Sequence, residues 1–128
     1  TPGVNIGLFC STPMVAVSRN VNRKQTMEML LLGEFISPLK AQEIGLINKI
    51  VSDKNLKEET IKMAKIIASK SPTTVAIGKE AFYKQLEMSI EEAYQYTSQV
   101  MSKNMLEKDA QEGISAFIEN RAPKWTDK

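Results

Sequence analysis

The sequence predicts an α/β fold class in which this chain itself is mostly α. Residues 1–52 have the mixed character of the closing turns of an α/β core, and residues 53–128 that of a helical tail. Two observations predict this. A turn, a capped helix, a glycine stop and a strand pattern follow one another within residues 33–51. Beyond residue 52, apolar residues recur at the spacing of three and four that is typical of helices.

The segment 33–51 contains the clearest local signals. Ser37 can accept a hydrogen bond from a free backbone N–H, and Pro38 suits the first helical position, where its missing N–H would have no partner. Gly45 fits the left-handed conformation that ends many helices. The run 46–51 then has the composition of a short strand.

The residues before this segment predict a strand and two helices. The apolar stretch 4–9 is typical of a strand or its exit loop. Ser11, Thr12 and Pro13 form a helix-start signal, and the helix itself is expected from Met14 to Arg19. Asn22 caps the next helix, with Gln25 placed to reach back as in a capping box.

Four helices are predicted in the second part. Asp53 begins the first, which runs to about residue 70, and Ser71 begins the second. The capping-box sequence at residues 89–92 opens the third, and a short helix is expected over residues 110–119.

The composition excludes several classes of site and partner. With 0 His and 1 Cys, the chain cannot form a Ser-His-Asp or Cys-His catalytic arrangement by itself, and no metal site is expected. A net charge of +2 without a basic block argues against nucleic acid as a partner. No apolar run approaches the roughly 20 residues that span a bilayer, so no membrane partner is expected.

Three stretches, taken in order, resemble the crotonase superfamily of enoyl-CoA hydratases and isomerases. Residues 33–51 resemble its G-x-x-I-S-A-x-E-A-x-x-x-G-L-V-x-x-V pattern, and residues 1–7 its F-G-x-P-E-x-x-x-G segment. Residues 109–125 resemble its D-x-x-E-G-x-x-A-F-x-E-K-R-x-P-x-[FW] ending. The resemblance is strongest to the enoyl-CoA hydratase domain-containing branch, which lacks the second catalytic glutamate. It implies the C-terminal portion of a crotonase-type β/α spiral, ending at residue 52, and then a helical trimerisation region, 53–128. We therefore expect further residues before Thr1.

The resemblance assigns no catalytic residue to this chain. In the family's hydratases a glutamate follows the proline that Pro2 matches, and hydration needs such a group because a proton is transferred at each of two carbons. Gly3 stands at that place here, and the family's other catalytic glutamate would precede Thr1. The alternative interpretation is that Gly3 is simply a permissive backbone position.

Two groups of residues are candidates for binding. The first would line an altered acyl pocket: Pro2, Gly3, Phe9, Cys10 and Ser11. The resemblance implies a glycine-containing turn that enters a helix close to the substrate thioester, and this chain has bulkier residues in that turn, Cys10, Ser11, Thr12 and Pro13. The second, on the helical tail, would contact coenzyme A: Met101, Arg121 and Lys124. The alternatives are that the first group only packs against a helix start and that the second comprises a core methionine and solvated charges.

The family resemblance implies an acyl-CoA-binding protein of the hydratase/isomerase type in fatty-acid or acyl-CoA metabolism, with the thioester as substrate or ligand and no other cofactor. The sequence leaves open whether the protein is an enzyme; if it is active, the resemblance implies a lyase or an isomerase. The alternative is a non-catalytic acyl-CoA-binding or assembly subunit, and a plain helical interaction module is a weaker third hypothesis. A trimer or hexamer is expected, in the cytoplasm of a bacterium or the mitochondrial matrix of a eukaryote.

Overall fold

The computed structural model describes residues 1–126, and this range contains seven α-helices, two 3₁₀-helices and no β-strand. The mostly α character predicted for the chain is therefore confirmed. The α-helices are α1 Ser11–Ser18, α2 Arg23–Leu32, α3 Pro38–Glu43, α4 Leu56–Ala68, α5 Pro72–Gln85, α6 Ile90–Asn104 and α7 Lys108–Ile118. The 3₁₀-helices are Pro2–Ile6 and Asp53–Asn55. None of the helices in this range is both long and apolar enough to cross a membrane.

Helix starts are confirmed where a polar side chain caps the first turn. Asn22 accepts from the Gln25 backbone N–H at 3.1 Å, Ser37 caps α3 and Ser71 caps α5. Ser89 forms the complete capping box of α6. The Gln25 side chain contacts the Asn22 side-chain amide rather than its backbone, so the reciprocal part of that predicted box is wrong.

The strand predicted over residues 46–51 is wrong. Over residues 4–9 the strand alternative is wrong, whereas the loop alternative describes residues 8 and 9. Residues 4–6 belong instead to the 3₁₀-helix Pro2–Ile6, and Gly7 ends this helix in the left-handed region with φ 77°. Over residues 46–51 the first two amide groups donate back to the Ala41 carbonyl, at 2.9 and 3.3 Å. A strand needs a neighbouring strand to accept its hydrogen bonds, and the described residues provide none at either place.

Three other boundaries differ from prediction. Helix α1 begins at Ser11 rather than at Met14. Asp53 does not cap a long helix directly, because the 3₁₀-helix Asp53–Asn55 precedes α4. The last helix begins at Lys108, two residues before the predicted 110.

The chain forms two compact units, which divide between Leu56 and Lys57. In the first unit α1 and α2 pack on each other, and Leu30 is its most buried large side chain at 1% exposure. In the second unit α5 packs against both α6 and α7. The roles predicted for residues 1–52 and 53–128 stay predictions.

Candidate functional site

The N-terminal segment is held against the C-terminal end of α2 by side-chain hydrogen bonds. The Thr1 hydroxyl donates to the Met29 carbonyl at 2.9 Å, and the Asn5 amide donates to the Gly33 carbonyl at 3.1 Å. Gly33 adopts φ 61° as it ends α2, which turns its carbonyl out of the helix. These contacts fix the position of the loop that carries the predicted acyl-pocket residues.

Gly3 and Cys10 meet across this loop. The Gly3 N–H donates to Cys10 Sγ at 3.3 Å, and the Gly3 carbonyl accepts from the Leu8 N–H at 2.9 Å. A Cβ atom built on Gly3 would lie 2.7 Å from Cys10 Sγ and 2.7 Å from the Leu8 carbonyl oxygen. Carbon cannot approach sulfur or oxygen so closely without strong repulsion, so a side chain at residue 3 requires the loop to move.

The other acyl-pocket candidates lie around this contact. Pro2 is exposed at the start of the 3₁₀-helix, Phe9 is 44% exposed and Cys10 is half-buried. The Ser11 N–H and hydroxyl both bond to the Phe9 carbonyl, at 2.7 and 3.3 Å. The structure thus brings Gly3 and Cys10 into contact and fixes the backbone between Phe9 and Ser11. That these residues line an acyl pocket stays a prediction.

The loop supplies no carboxylate of its own. The first acidic residue of the sequence is Glu28. The polar side chains within residues 1–12 are those of Thr1, Asn5, Ser11 and Thr12, with the Cys10 thiol beside them. An ordinary carboxylate acid or base for hydration is therefore absent from this segment of the sequence.

At the other end of the chain, Glu112 on α7 holds the tail through Arg121. The two carboxylate oxygens of Glu112 accept from Nη1 and Nη2 of Arg121 at 2.6 and 2.9 Å, a two-point contact. Glu112 also accepts from the Lys124 backbone N–H at 2.7 Å. The Arg121 hydrogen bonds, followed by the Lys124 backbone bond, lower the pKa of Glu112 to about 2. Glu119 accepts from Arg121 Nε, and the two carboxylates raise the pKa of Arg121.

The coenzyme A candidates lie in different surroundings. Arg121 is already bound by two carboxylates, so a phosphate would share the guanidinium with them or displace one. The Lys124 side chain is exposed, and Met101 is 63% exposed on α6 rather than in the core. The alternative interpretation of Met101 as a core residue is therefore wrong for this chain. The coenzyme A role of all three residues stays a prediction.

Two residues of the tail have roles that the sequence did not reveal. Asp109 is 1% exposed and accepts from the Thr126 N–H and hydroxyl at 2.7 and 3.1 Å. The Trp125 indole N–H donates to the Ser69 carbonyl at 2.8 Å, beyond the end of α4. Both residues belong to the motif at residues 109–125, so the spacing of that motif was the sequence feature that could have pointed to them.

An apolar hollow of about 560 Å³ lies within the second unit. Its lining includes Val75, Ile114, Phe117 and Trp125, together with Asn104. The Asn104 side-chain nitrogen is buried and has no hydrogen-bond partner among residues 1–126.

The whole chain, residues 1–128, matches the family model described as enoyl-CoA hydratase/isomerase, and the chain belongs to this crotonase family. The chain is 53% identical over 126 residues to the Rattus norvegicus protein named enoyl-CoA hydratase domain-containing protein 3, mitochondrial. The matched region covers 98% of this chain and 42% of the rat protein. The Homo sapiens protein of the same name is 51% identical over 126 residues, again covering 98% of this chain and 42% of the human protein.

Solved structures agree on the fold. An enoyl-CoA hydratase of Mycobacterium smegmatis superposes with a TM-score of 0.94 at 48% identity, covering 98% of this chain and 49% of that one. The human enoyl-CoA hydratase domain-containing protein 3 gives 0.92 at 51% identity, with the same coverages. The chain thus has the fold of a C-terminal portion of a crotonase, as predicted, and spans less than half the length of these relatives.

Proposed function

We propose that the protein carrying this chain binds acyl-CoA thioesters in the manner of an enoyl-CoA hydratase or isomerase and lacks the standard hydration step. The loss of hydration is supported by the packing around Gly3. Neither a glutamate nor any smaller side chain fits at this residue beside Cys10 and the Leu8 carbonyl. Family membership supports the binding of acyl-CoA thioesters.

The physical reason concerns proton transfer. Addition of water across a conjugated double bond requires a proton to be removed from water and another to be delivered to carbon, and a missing acid or base typically costs 10²- to 10⁴-fold in rate. Stabilisation of a thioester enolate requires only hydrogen-bond donors aimed at the thioester oxygen. A site can therefore retain binding, and even isomerisation through a single base, while hydration is lost.

A second candidate is a non-catalytic acyl-CoA-binding or assembly subunit on the same scaffold. The absence of a carboxylate from residues 1–27 favours it. In either case we propose self-association as a trimer or hexamer, and mitochondrial residence if the source is eukaryotic, since relatives from rat and human are named as mitochondrial.

The deciding experiment measures turnover and binding on the intact protein. Crotonyl-CoA hydration is followed by the loss of the enoyl absorbance, and binding by the rise in melting temperature with butyryl-CoA. We expect thermal stabilisation with hydration well below ordinary enzyme rates of roughly 1–1,000 per second. Turnover within that range would refute the loss of hydration, and no stabilisation by any acyl-CoA would refute the binding proposal.

The coenzyme A candidates are tested in the same assay. Lys124→Met should weaken butyryl-CoA binding severalfold if the exposed ammonium contacts a phosphate. Lys103→Met, in the last turn of α6, removes the same charge elsewhere on the second unit and serves as the control. Equal affinities for the two variants would remove Lys124 from the binding site.

A further inference from the structure

The last described residues cross the second unit as a strap, which we define as residues 122–126. The strap contains no helix or strand. Among residues 1–126, the last backbone–backbone hydrogen bond of the chain joins the Arg121 N–H to the Ala116 carbonyl at 3.0 Å, and none involves the strap itself. Within this range the strap is therefore fastened only by hydrogen bonds in which at least one partner is a side chain.

Two residues of the strap are fastened to one face of α7. The Lys124 N–H donates to Glu112 at 2.7 Å, and the Thr126 N–H and hydroxyl donate to Asp109 at 2.7 and 3.1 Å. Because the two carboxylates are three residues apart on the helix, they lie on the same side of it. Asp109 is 1% exposed, and a buried carboxylate is stable only with hydrogen-bond donors beside it. Closing of the strap supplies two such donors.

The residue between these two attachments forms a wall of the apolar hollow of about 560 Å³ in the second unit. The Trp125 indole N–H donates to the Ser69 carbonyl at 2.8 Å, and the half-buried ring lines the hollow. The ring stands 3.5 Å from the position of a Cβ atom on Gly113, an ordinary contact distance from α7. Because Trp125 lies between Lys124 and Thr126 in the chain, a movement of the strap away from α7 carries the ring away from the hollow.

We propose that the strap is a conformational gate of this hollow: it opens as one unit while α5, α6 and α7 stay folded, and its opening removes the Trp125 wall. Segments that lack backbone–backbone hydrogen bonds and bury little apolar surface open at a lower free energy than packed helices do. The strap has this character, whereas α5 packs against both α6 and α7. The attachments at residues 124, 125 and 126 are consecutive, so the loss of one loosens its neighbours. The gate depends only on contacts within the second unit, and its test needs no acyl-CoA.

Amide hydrogen exchange of the intact protein, resolved residue by residue, tests the opening. We expect the Lys124 and Thr126 amides to be equally protected, to exchange at least about tenfold faster than the Ala116 amide inside α7, and not to be accelerated by low urea concentrations. Trp125→Ala should raise both rates by the same factor of at least about tenfold, although neither amide bonds to the indole. Tyr94→Ala, which removes an aromatic ring 72% exposed on α6, is the control and should leave both rates unchanged. A Thr126 amide that exchanges independently of Lys124, or two amides that exchange only together with Ala116, would overturn the proposal.

The wall is tested with 8-anilinonaphthalene-1-sulfonate, an anionic dye that fluoresces on exposed apolar surface. Trp125→Ala should raise the dye signal of the intact protein about twofold or more over wild type and Tyr94→Ala, with unchanged helix content by circular dichroism. Adding Thr74→Glu should abolish this gain, since Thr74 lines the hollow and a carboxylate there repels the sulfonate. Thr74→Gln is the uncharged control and should keep the gain; both substitutions suit this position, three residues after the Ser71 cap. No gain, or a gain that persists with Thr74→Glu, would mean that the strap does not gate the hollow.

Discussion

Removal of the Trp125 side chain should release the tail from the second unit. The indole N–H bonds to the Ser69 carbonyl at 2.8 Å, and the ring stands 3.5 Å from where a Cβ on Gly113 would be. A hydrogen bond of this kind contributes about 1 kcal/mol. Complete loss of a buried Trp costs 3–5 kcal/mol, and this ring is only half-buried, so about 2 kcal/mol is expected from its packing.

We therefore expect Trp125→Phe to lower the free energy of unfolding by about 1 kcal/mol and Trp125→Ala by about 2–3 kcal/mol. Urea denaturation of the intact protein, followed by circular dichroism, measures both values, and an unchanged m-value would show that the unfolding transition itself is the same. If Trp125→Ala lies within about 0.5 kcal/mol of wild type, the range of ordinary surface substitutions, the tail contributes nothing to stability and the reasoning fails.

Three further predictions concern α7 and the end of α2. Because the pKa of Glu112 falls from its ordinary 4.5 to about 2 on folding, its pairing with Arg121 contributes stability above pH 4.5 that is lost between pH 4.5 and about 2. The unfolding free energies of wild type and Glu112→Gln, measured against pH, should therefore differ at pH 7 and converge across that window, and a constant difference would contradict the pairing. Gly33→Ala should lower the free energy of unfolding, measured in urea, by about 2–4 kcal/mol. Gly33 has φ 61°, and an added Cβ would lie 2.8 Å from a side-chain carbon of the N-terminal 3₁₀-helix. Gly113→Ala should instead gain up to about 1 kcal/mol of unfolding free energy from helix propensity, because its Cβ would meet Trp125 at an ordinary 3.5 Å; a loss there would mean that the ring sits closer to α7 than described.

Local rules predicted the helix starts well. Capping by Asn22, Ser37, Ser71 and Ser89 depends on groups within three residues of one another, which the sequence itself supplies. The strands failed for the opposite reason, because strand formation depends on a partner that lies elsewhere in the chain or outside it. The run 46–51 has the composition of a strand, but residues 1–126 contain no strand to pair with it.

The candidate sites were predictable only in position. Motif spacing located Gly3 and Arg121, but their roles depend on tertiary contacts. Nothing in the sequence showed that Cys10 Sγ would fill the space beside Gly3 or that Glu112 would occupy Arg121. A residue that matches a ligand-binding position of a motif can thus form hydrogen bonds within its own chain, as Arg121 does with Glu112.

The two ends of the chain differ in what they retain of the family pattern. The tail keeps the acidic, arginine and tryptophan positions of the motif, and Asp109, Glu112 and Trp125 all make contacts that fix the tail within the second unit. The N-terminal loop has Gly3 where the pattern has a glutamate, and a Cβ atom at that residue would lie 2.7 Å from both Cys10 Sγ and the Leu8 carbonyl oxygen. Because Asp109, Glu112 and Trp125 are all engaged within the chain, substitutions at these three tail residues should change the stability of the fold, which urea unfolding of the intact protein measures.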